Sequence, residues 1–511
     1  MSLMLVNVKR FPENRFICPI FLRSSCSFPM LEFIRFIYHV NRYSNIMKRS
    51  QEHILAVQEQ RLRQLLRHAQ AHSKFYRERW KGINVETCKL QDLPILTKAD
   101  LMEHFEDVVT DQRLKKQPII DFMTNLDNIG SYFLDEFVVS HTSGSQGQAA
   151  IIVQPKDAPF HLFAMQVARG HSMPKTWGTV FKKIFQKRSR WALVLFKPCF
   201  IPSGAAFGYM PKASRKLADM LRLNLSDPFE STLKKLEEFK PNFITAYVHV
   251  LEQLARAAKE GKTTLVSNGN LELVIAISEP LPPDTQKYIE ENLHVPVANH
   301  YAMGECPQLS LGCPKGKGAH VNNDMAILEN VDAKNQAVPV GKPGHKVLLT
   351  NLMNFVQPII RYEVDDVITI SPDPCICGNK LPLVSSIAGR SNDQFWITSR
   401  KGEEMEMSNF IFKDAFLYLF ELSEYQVTQT GHNQFQVLVE VVPGSKTTTE
   451  DIRKSINNVL VVEGVDVDLD CRVEIVAKIP HDPKSGKVRR FINKVGQPNV
   501  PVVGLTSVAS K

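Results

Sequence analysis

A chain of 511 residues that is 43% hydrophobic and 23% charged is long enough for a large core plus at least one further domain, and its composition is that of a soluble globular protein. Nine cysteines scattered from Cys18 to Cys471 exclude the dense disulfide framework of a small secreted domain and favour a reducing cytoplasm. The formal net charge of +9 suits anionic partners, but the basic residues are dispersed rather than interleaved with aromatics on one element, so no nucleic-acid-binding module is expected.

Residues 1–50 read as a basic, aromatic extension docked on the body, with Leu31, Phe33, Ile34, Ile37 and Tyr38 at the spacing of an amphipathic helix. Its apolar run from Phe16 to Leu22 is interrupted by Pro19 and ended by Arg23, too short and broken for a signal core or a transmembrane span. From Gln51 to Trp80, Leu62, Leu65, Leu66 and Ala69 predict one long amphipathic helix. Beyond Glu136, short β-rich runs (137–140, 191–196, 273–277 and 347–350) alternate with helical segments (233–239 and 250–258). That alternation predicts a layered α/β body with substantial parallel sheet, occupying residues 51–391. Residues 392–511 read as a smaller α+β domain, with strands over 435–441 and 471–476.

The chemistry-bearing segments come in a fixed order. Val139 to Gln148 packs Thr142, Ser143 and Ser145 among Gly144 and Gly147. Such a loop lets backbone amides and hydroxyls approach phosphate oxygens, although it lacks the Lys-Ser or Lys-Thr ending of a Walker loop. Asn299-His-Tyr-Ala-Met-Gly-Glu305, Pro358-Ile-Ile-Arg-Tyr-Glu-Val-Asp-Asp366, Ala388-Gly-Arg390 and Lys484-Ser-Gly-Lys-Val-Arg-Arg490 follow in turn. With these motifs, the helical segment around Arg61 and the run Leu93-Pro-Ile-Leu-Thr-Lys98, the chain resembles the adenylate-forming superfamily and, within it, the phenylacetate-CoA ligase-like branch, from about Arg61 to Ile492.

The resemblance implies a large layered α/β domain of the adenylate-forming type with a smaller, mobile α+β C-terminal domain. It implies that the loop of Thr142, Ser143, Gly144, Ser145 and Gly147 holds the β- and γ-phosphates of ATP and that Tyr301, following Asn299 and His300, lies against adenine. Glu305 is implied as the ligand of Mg²⁺, Asp366 as the acceptor for the ribose hydroxyls, and Arg390 as the arginine near the nucleotide, with Arg361 as a structural salt-bridge residue. Lys487 would bridge the carboxylate and the α-phosphate, and Asn392 would stand at the pivot between the domains. The turn with Ser278, Glu279 and Pro280 is similar to the family's adenine-pocket element, and Tyr247 and His249 are candidates to face the acyl group. Gly304 departs from the usual Thr or Ser, so one phosphate-contacting hydroxyl is missing, and Asn392 departs from the usual Asp.

A second group is Cys313, His320, Cys375 and Cys377, four donors of the types that close a tetrahedral Zn²⁺ site, with Cys306 as a rival fourth ligand. Some ligases of the branch are similar in carrying a zinc knuckle here. The activity implied is adenylation of a carboxylic acid, aryl or arylacetic by branch resemblance, followed by transfer to coenzyme A. Transfer to an amine or a carrier-protein thiol, and a nucleotide-binding protein with impaired chemistry, stand as alternatives. A homodimer is compatible with the sequence.

Overall fold

The computed structural model describes residues 29–495 apart from 143–148, 171–188, 196–198, 206–207, 211–217, 226, 280, 282, 389–394, 401, 403, 408–409, 417–418, 420, 443, 463–464, 466 and 481–489. Helix α1 (Pro29–Ile46) is followed by α2 (Gln51–His72) and α3 (Lys74–Arg79). The single helix expected over 51–80 is therefore two. Ser73 breaks it in an extended conformation, where its hydroxyl accepts from Tyr76 N–H and donates to the Asp107 carbonyl at 2.8 Å. Serine competes with the helix for its own backbone partners, a preference that apolar periodicity does not register.

β1 (Phe137–His141) and β2 (Ile151–Pro155) form an antiparallel hairpin. One five-stranded sheet, parallel throughout, is made of β3 (Ser189–Leu195), β4 (Ala218–Asn224), β5 (Phe243–Tyr247), β6 (Leu273–Ile277) and β7 (Val297–Asn299), in the order β4-β3-β5-β6-β7. Helices over Phe229–Phe239, Val248–Lys259 and Pro283–Leu293 supply its apolar cover through Leu236, Leu251, Leu254 and Ile289. Then come β8 (Ser310–Cys313), β9 (Gly318–Val321), β10 (Ala326–Val331), β11 (Lys346–Asn351), β12 (Tyr362–Val364), β13 (Val367–Ile370) and β14 (Leu383–Ala388). They make two antiparallel sheets, β13-β14-β9-β8 and β10-β11-β12. The runs at 137–140 and 347–350 are thus antiparallel, a pairing that composition cannot distinguish for a strand buried on both faces.

The C-terminal unit has its own apolar cluster, in which Phe395, Phe412, Tyr425, Phe435, Ile452, Ile456 and Phe491 meet. Its main sheet runs β19-β18-β17-β20, with β17 (Leu422–Gly431), β18 (Gln434–Val441), β19 (Asp470–Ile475) and β20 (Phe491–Asn493), beside the short pair β15 (Phe395–Thr398) and β16 (Glu404–Met407).

Helix α1 lies against α4 (Ala158–Arg169), burying Phe36 and Tyr43. The Tyr43 hydroxyl meets His161 Nδ1 at 2.8 Å, and Ser44 donates to the Ala168 carbonyl at 3.0 Å. Beneath it, Arg169 grips the Asp324 carboxylate with two bonds of 2.8 and 2.9 Å, and Arg61 donates to the Asp324 carbonyl. Burial opposes ionisation of Asp324, but Arg169 and Arg61 outweigh it and hold the carboxyl below its ordinary range. Asp324→Asn should therefore destabilise the fold by about 3 kcal/mol, because it leaves two buried guanidinium groups without their anion. A folded pKa below the unfolded one means this stability is present above about pH 4 and is lost as pH falls through the folded value. Urea unfolding of both proteins across acid pH checks it: the mutant should lack this part of the acid-induced loss.

Candidate functional site

The carboxyl ends of β5, β6 and β7 lie side by side, with Tyr247 opposite Ile277 and Ala276 opposite Asn299. Ligands of open parallel sheets bind beyond such ends. After β6 the chain turns sharply at Ser278, whose φ of +65° is rare for a residue with a Cβ, and Glu279 N–H bonds back to the Ile277 carbonyl at 2.8 Å. After β7, His300 N–H reaches the Ala276 carbonyl at 2.9 Å. This places Ser278 and Glu279 beside Asn299 and His300. Gly312 of β8 passes so close that a Cβ would stand 2.7 Å from the backbone of Asn299, so only glycine lets β8 clamp the end of β7 here.

Tyr301 turns inward. Ser310 Oγ accepts from its N–H at 3.2 Å, its ring is buried in the main core, and its hydroxyl donates to Asp366 Oδ2 at 2.9 Å. The residue expected against adenine, just after β7, is thus joined to the one expected to receive the ribose, in the turn between β12 and β13. Burial, together with the adjacent Asp366, pushes the phenol of Tyr301 well above its ordinary range.

Glu305 is 8% exposed. Burial raises its carboxyl above the ordinary range, opposed by Lys98 and by a hydrogen bond from Tyr362. Asn351 Nδ2 donates to the Glu305 carbonyl at 2.8 Å, and Gln308 Nε2 donates to Asn351 Oδ1 at 3.0 Å. Thr142, the described end of the hydroxyl loop, closes the hairpin: its N–H donates to the Ala150 carbonyl at 2.9 Å, and its Oγ1 accepts from Ala150 N–H at 3.0 Å. It also faces Gly304, where an added Cβ would meet Thr142 Cγ2 at 3.4 Å and Pro202 Cγ at 3.5 Å.

Thr142, Gly304 and Glu305 therefore meet in one place, with Asp366 near enough to act electrostatically on both Glu305 and Tyr301. Ser143, Gly144, Ser145, Gly147, Pro280, Arg390, Asn392 and Lys487 lie outside the described residues. Tyr247 is buried at the end of β5 among Val248, Leu251 and Ala246, and His249 is the second residue of the helix that follows. Arg361, with φ +50°, spends its guanidinium on Glu329 at 3.1 Å and on the carbonyls of Gln91 and Leu93. Sequence reasoning gave no role to Lys98 or Tyr362. Their presence inside recognised motifs was the available signal.

Cys313, His320, Cys375 and Cys377 converge, with their donor atoms all within 4.8 Å of one another, and Cys306 is not in the group. Cys313 Sγ and Cys375 Sγ are 3.8 Å apart, and His320 Nε2 is 3.2 Å from Cys377 Sγ. Metal–sulfur bonds of about 2.3 Å in a tetrahedron require sulfurs about 3.8 Å apart. His320 has its other nitrogen, Nδ1, 2.9 Å from the Leu381 carbonyl, which orients the ring as a ligand needs. Amides of Gly316 and Asn379 donate to Cys313 and Cys377, and a Cβ on Gly316 would stand 2.5 Å from Cys375 Sγ. These residues fit Zn²⁺ in donor type, spacing and supporting bonds.

No family model matches the chain. Over 174 residues, 33% of this chain, it is 28% identical to phenylacetate-coenzyme A ligase of Thermus thermophilus; the match spans only 38% of that relative's length. Over 480 residues it is 21% identical to Protein CapK of Staphylococcus aureus, covering 89% of this chain and 93% of the relative. Among solved structures, 2-hydroxyisobutyryl-CoA ligase with 2-HIB-AMP and CoA in the thioesterification state has a TM-score of 0.54 at 19% identity, over 87% of this chain and 90% of that one. The same ligase in the postadenylation state with R3-HIB-AMP gives 0.50 at 20% identity over the same shares. The likeness establishes a shared fold.

Proposed function

We propose that this chain, which has the fold of the CoA ligases that work through an acyl-adenylate and is related in sequence to phenylacetate-coenzyme A ligase, activates a carboxylic acid with ATP and passes the acyl group to coenzyme A. The observation carrying this reading is the meeting of Thr142, Gly304 and Glu305, brought from segments more than a hundred residues apart, beside the Tyr301–Asp366 pair. The threonine that opens the hydroxyl loop, a buried carboxylate and a ribose-directed carboxylate within one site suit a nucleoside triphosphate better than any single motif does.

In the first half-reaction the substrate carboxylate attacks the α-phosphate and pyrophosphate leaves. The hydroxyl loop binds the β- and γ-phosphates, and Lys487 places its positive charge where negative charge develops between carboxylate and phosphate. Glu305 is the residue to hold Mg²⁺, which supplies neutralising charge on the phosphate oxygens. In the second half-reaction the coenzyme A thiol attacks the acyl carbon of the adenylate and AMP leaves. Rotation of the C-terminal domain about Asn392 separates the two steps, withdrawing Lys487. The branch resemblance favours an aryl or arylacetic acid. The Cys313, His320, Cys375 and Cys377 group supports a structural Zn²⁺, and a thiol-rich metal site suits the reducing cytoplasm.

The test is pyrophosphate release from ATP across aryl, arylacetic and fatty acids, with and without coenzyme A. Release driven by one acid class and hastened by coenzyme A is expected. ATP binding with no acid-dependent release across the panel would sink the ligase reading. A smaller prediction concerns Gly304: the site has ordinary van der Waals room for a Cβ, so Gly304→Ser should restore a hydroxyl beside the loop and tighten ATP binding by about two- to tenfold. Calorimetric titration checks it; weaker binding would mean that the added side chain collides rather than donates.

A further inference from the structure

The hairpin that carries the hydroxyl loop is a two-stranded sheet, and such hairpins are marginal without support. Along β2, residues 150, 152 and 154 turn their peptide groups toward the stretch from Val138 to Thr142, so Ile151 and Val153 present theirs to the opposite side. Both residues are fully buried, and buried peptide groups require partners. Among the described residues no strand supplies them.

Two side-chain amides serve three of these four groups, and the Ile151 N–H turns to Met102 Sδ at 3.4 Å. Gln357 Oε1 accepts from Val153 N–H at 2.9 Å, and Gln357 Nε2 donates to the Ile151 carbonyl at 3.0 Å. The Val153 carbonyl accepts from Asn354 Nδ2 at 2.8 Å. A primary amide offers the same donor and acceptor as a peptide group, so Gln357 stands in for one residue of a missing third strand. Gln357 is 0% exposed, Asn354 2% and Asn351 1%. Burying three amides is costly unless each is satisfied, and here each is.

The turn bearing them is itself pinned. Asn354 Oδ1 accepts from the amides of Val356 and Gln357, Thr110 N–H donates to the Val356 carbonyl at 2.9 Å, and the Tyr76 hydroxyl donates to the Pro358 carbonyl at 2.7 Å. From the end of β11, just before this turn, Asn351 holds the Glu305 carbonyl. One segment of the chain thus grips both the stem of the hydroxyl loop and the backbone of the carboxylate opposite it.

We infer that Gln357, aided by Asn354 and Asn351, is a positioning residue that sets the spacing between Thr142, at the end of the hairpin, and Glu305, and so the affinity for ATP with its divalent ion. The inference rests on the proposed ATP site. A site of this kind needs its opposed groups held within a fraction of an ångström by locked supporting residues.

Two variants test it. Gln357→Met keeps the volume but strands the Val153 N–H and the Ile151 carbonyl. Gln357→Glu makes both bonds only while protonated, when it has one donor and one acceptor; ionised, it turns a carboxylate oxygen on the Ile151 carbonyl. Calorimetric ATP affinity in the presence of Mg²⁺ is measured at about pH 6 and about pH 9.5, below and above the values of about 8–9 that buried glutamates reach, each as a ratio to wild type at the same pH. Gln357→Met should bind ATP about tenfold or more weakly at both, with each unsatisfied buried group worth roughly that factor. Gln357→Glu should stay within about threefold of wild type at the lower pH and match Gln357→Met at the higher.

A folded Gln357→Met that binds ATP as wild type does overturns the inference, and so does a Gln357→Glu ratio that is flat with pH while thermal stability falls, which is the signature of a purely structural amide. If Gln357→Met does not fold, the Gln357→Glu ratio alone decides. Wild type that fails to bind ATP removes the proposed function and the inference with it; wild-type binding with unaffected variants removes only the inference.

Discussion

Glu305→Gln is expected to lower acid-dependent pyrophosphate release by about 10²- to 10³-fold, the usual loss when one charge-stabilising group is removed from a preorganised site. The substitution preserves volume and the Asn351 bond to the backbone carbonyl, so the loss is of charge rather than of fold. Burial makes the charge unusually sensitive to its surroundings: it raises the Glu305 carboxyl above its ordinary range while Lys98 and Tyr362 favour the ionised form. In wild type, affinity for the magnesium–ATP complex should therefore fall as pH drops, starting at higher pH than an ordinary carboxylate near 4.3 would give, because the protonated acid is a poor ligand for a hard cation. Glu305→Gln should abolish that acid limb. Lys487→Ala should match it in lost adenylation while leaving ATP binding closer to wild type, since its charge acts where the transition state develops. Undiminished pyrophosphate release by Glu305→Gln, at magnesium concentrations that do not saturate wild type, would remove Glu305 from the metal site.

The second large effect is on stability. The purified protein should carry one equivalent of zinc, and Cys375→Ser or a strong chelator should remove it and destabilise the large domain by several kcal/mol, about 3 or more, because a structural metal contributes its binding energy to folding. The cluster ties Cys313 at the end of β8 and His320 in β9 to the turn of Cys375 and Cys377, which precedes β14 in the same sheet. Its loss should loosen that sheet together with the β7–β8 clamp behind Asn299. Elemental analysis of wild type and Cys375→Ser, paired with thermal unfolding before and after chelation, reads both quantities. Metal-free wild type whose thermal midpoint Cys375→Ser does not change would refute a structural site. Cys306→Ser is the matched comparison, since Cys306 is fully buried yet outside the donor group, and it should retain the metal.

Much was legible from residues alone because it is written locally. The alternation of β-rich and helical runs survives in β3, β5, β6 and the helices between them, since each needs only neighbouring residues and one buried face. The order of the motifs, and the chemistry of hydroxyls, carboxylates and thiols within them, likewise depends on no distant contact. Sequence periodicity missed the break at Ser73, where a single hydroxyl outcompetes the helix for backbone partners, and it could not tell parallel from antiparallel pairing for strands buried throughout. Only the tertiary structure decided that Cys313 rather than Cys306 joins the Cys/His cluster, that Tyr362 serves Glu305, and that Gln357 completes a hairpin 204 residues earlier in the chain. These are choices among chemically equivalent side chains, made by which one the packed backbone brings within hydrogen-bonding or coordination distance, and no periodic pattern in the residues encodes that distance.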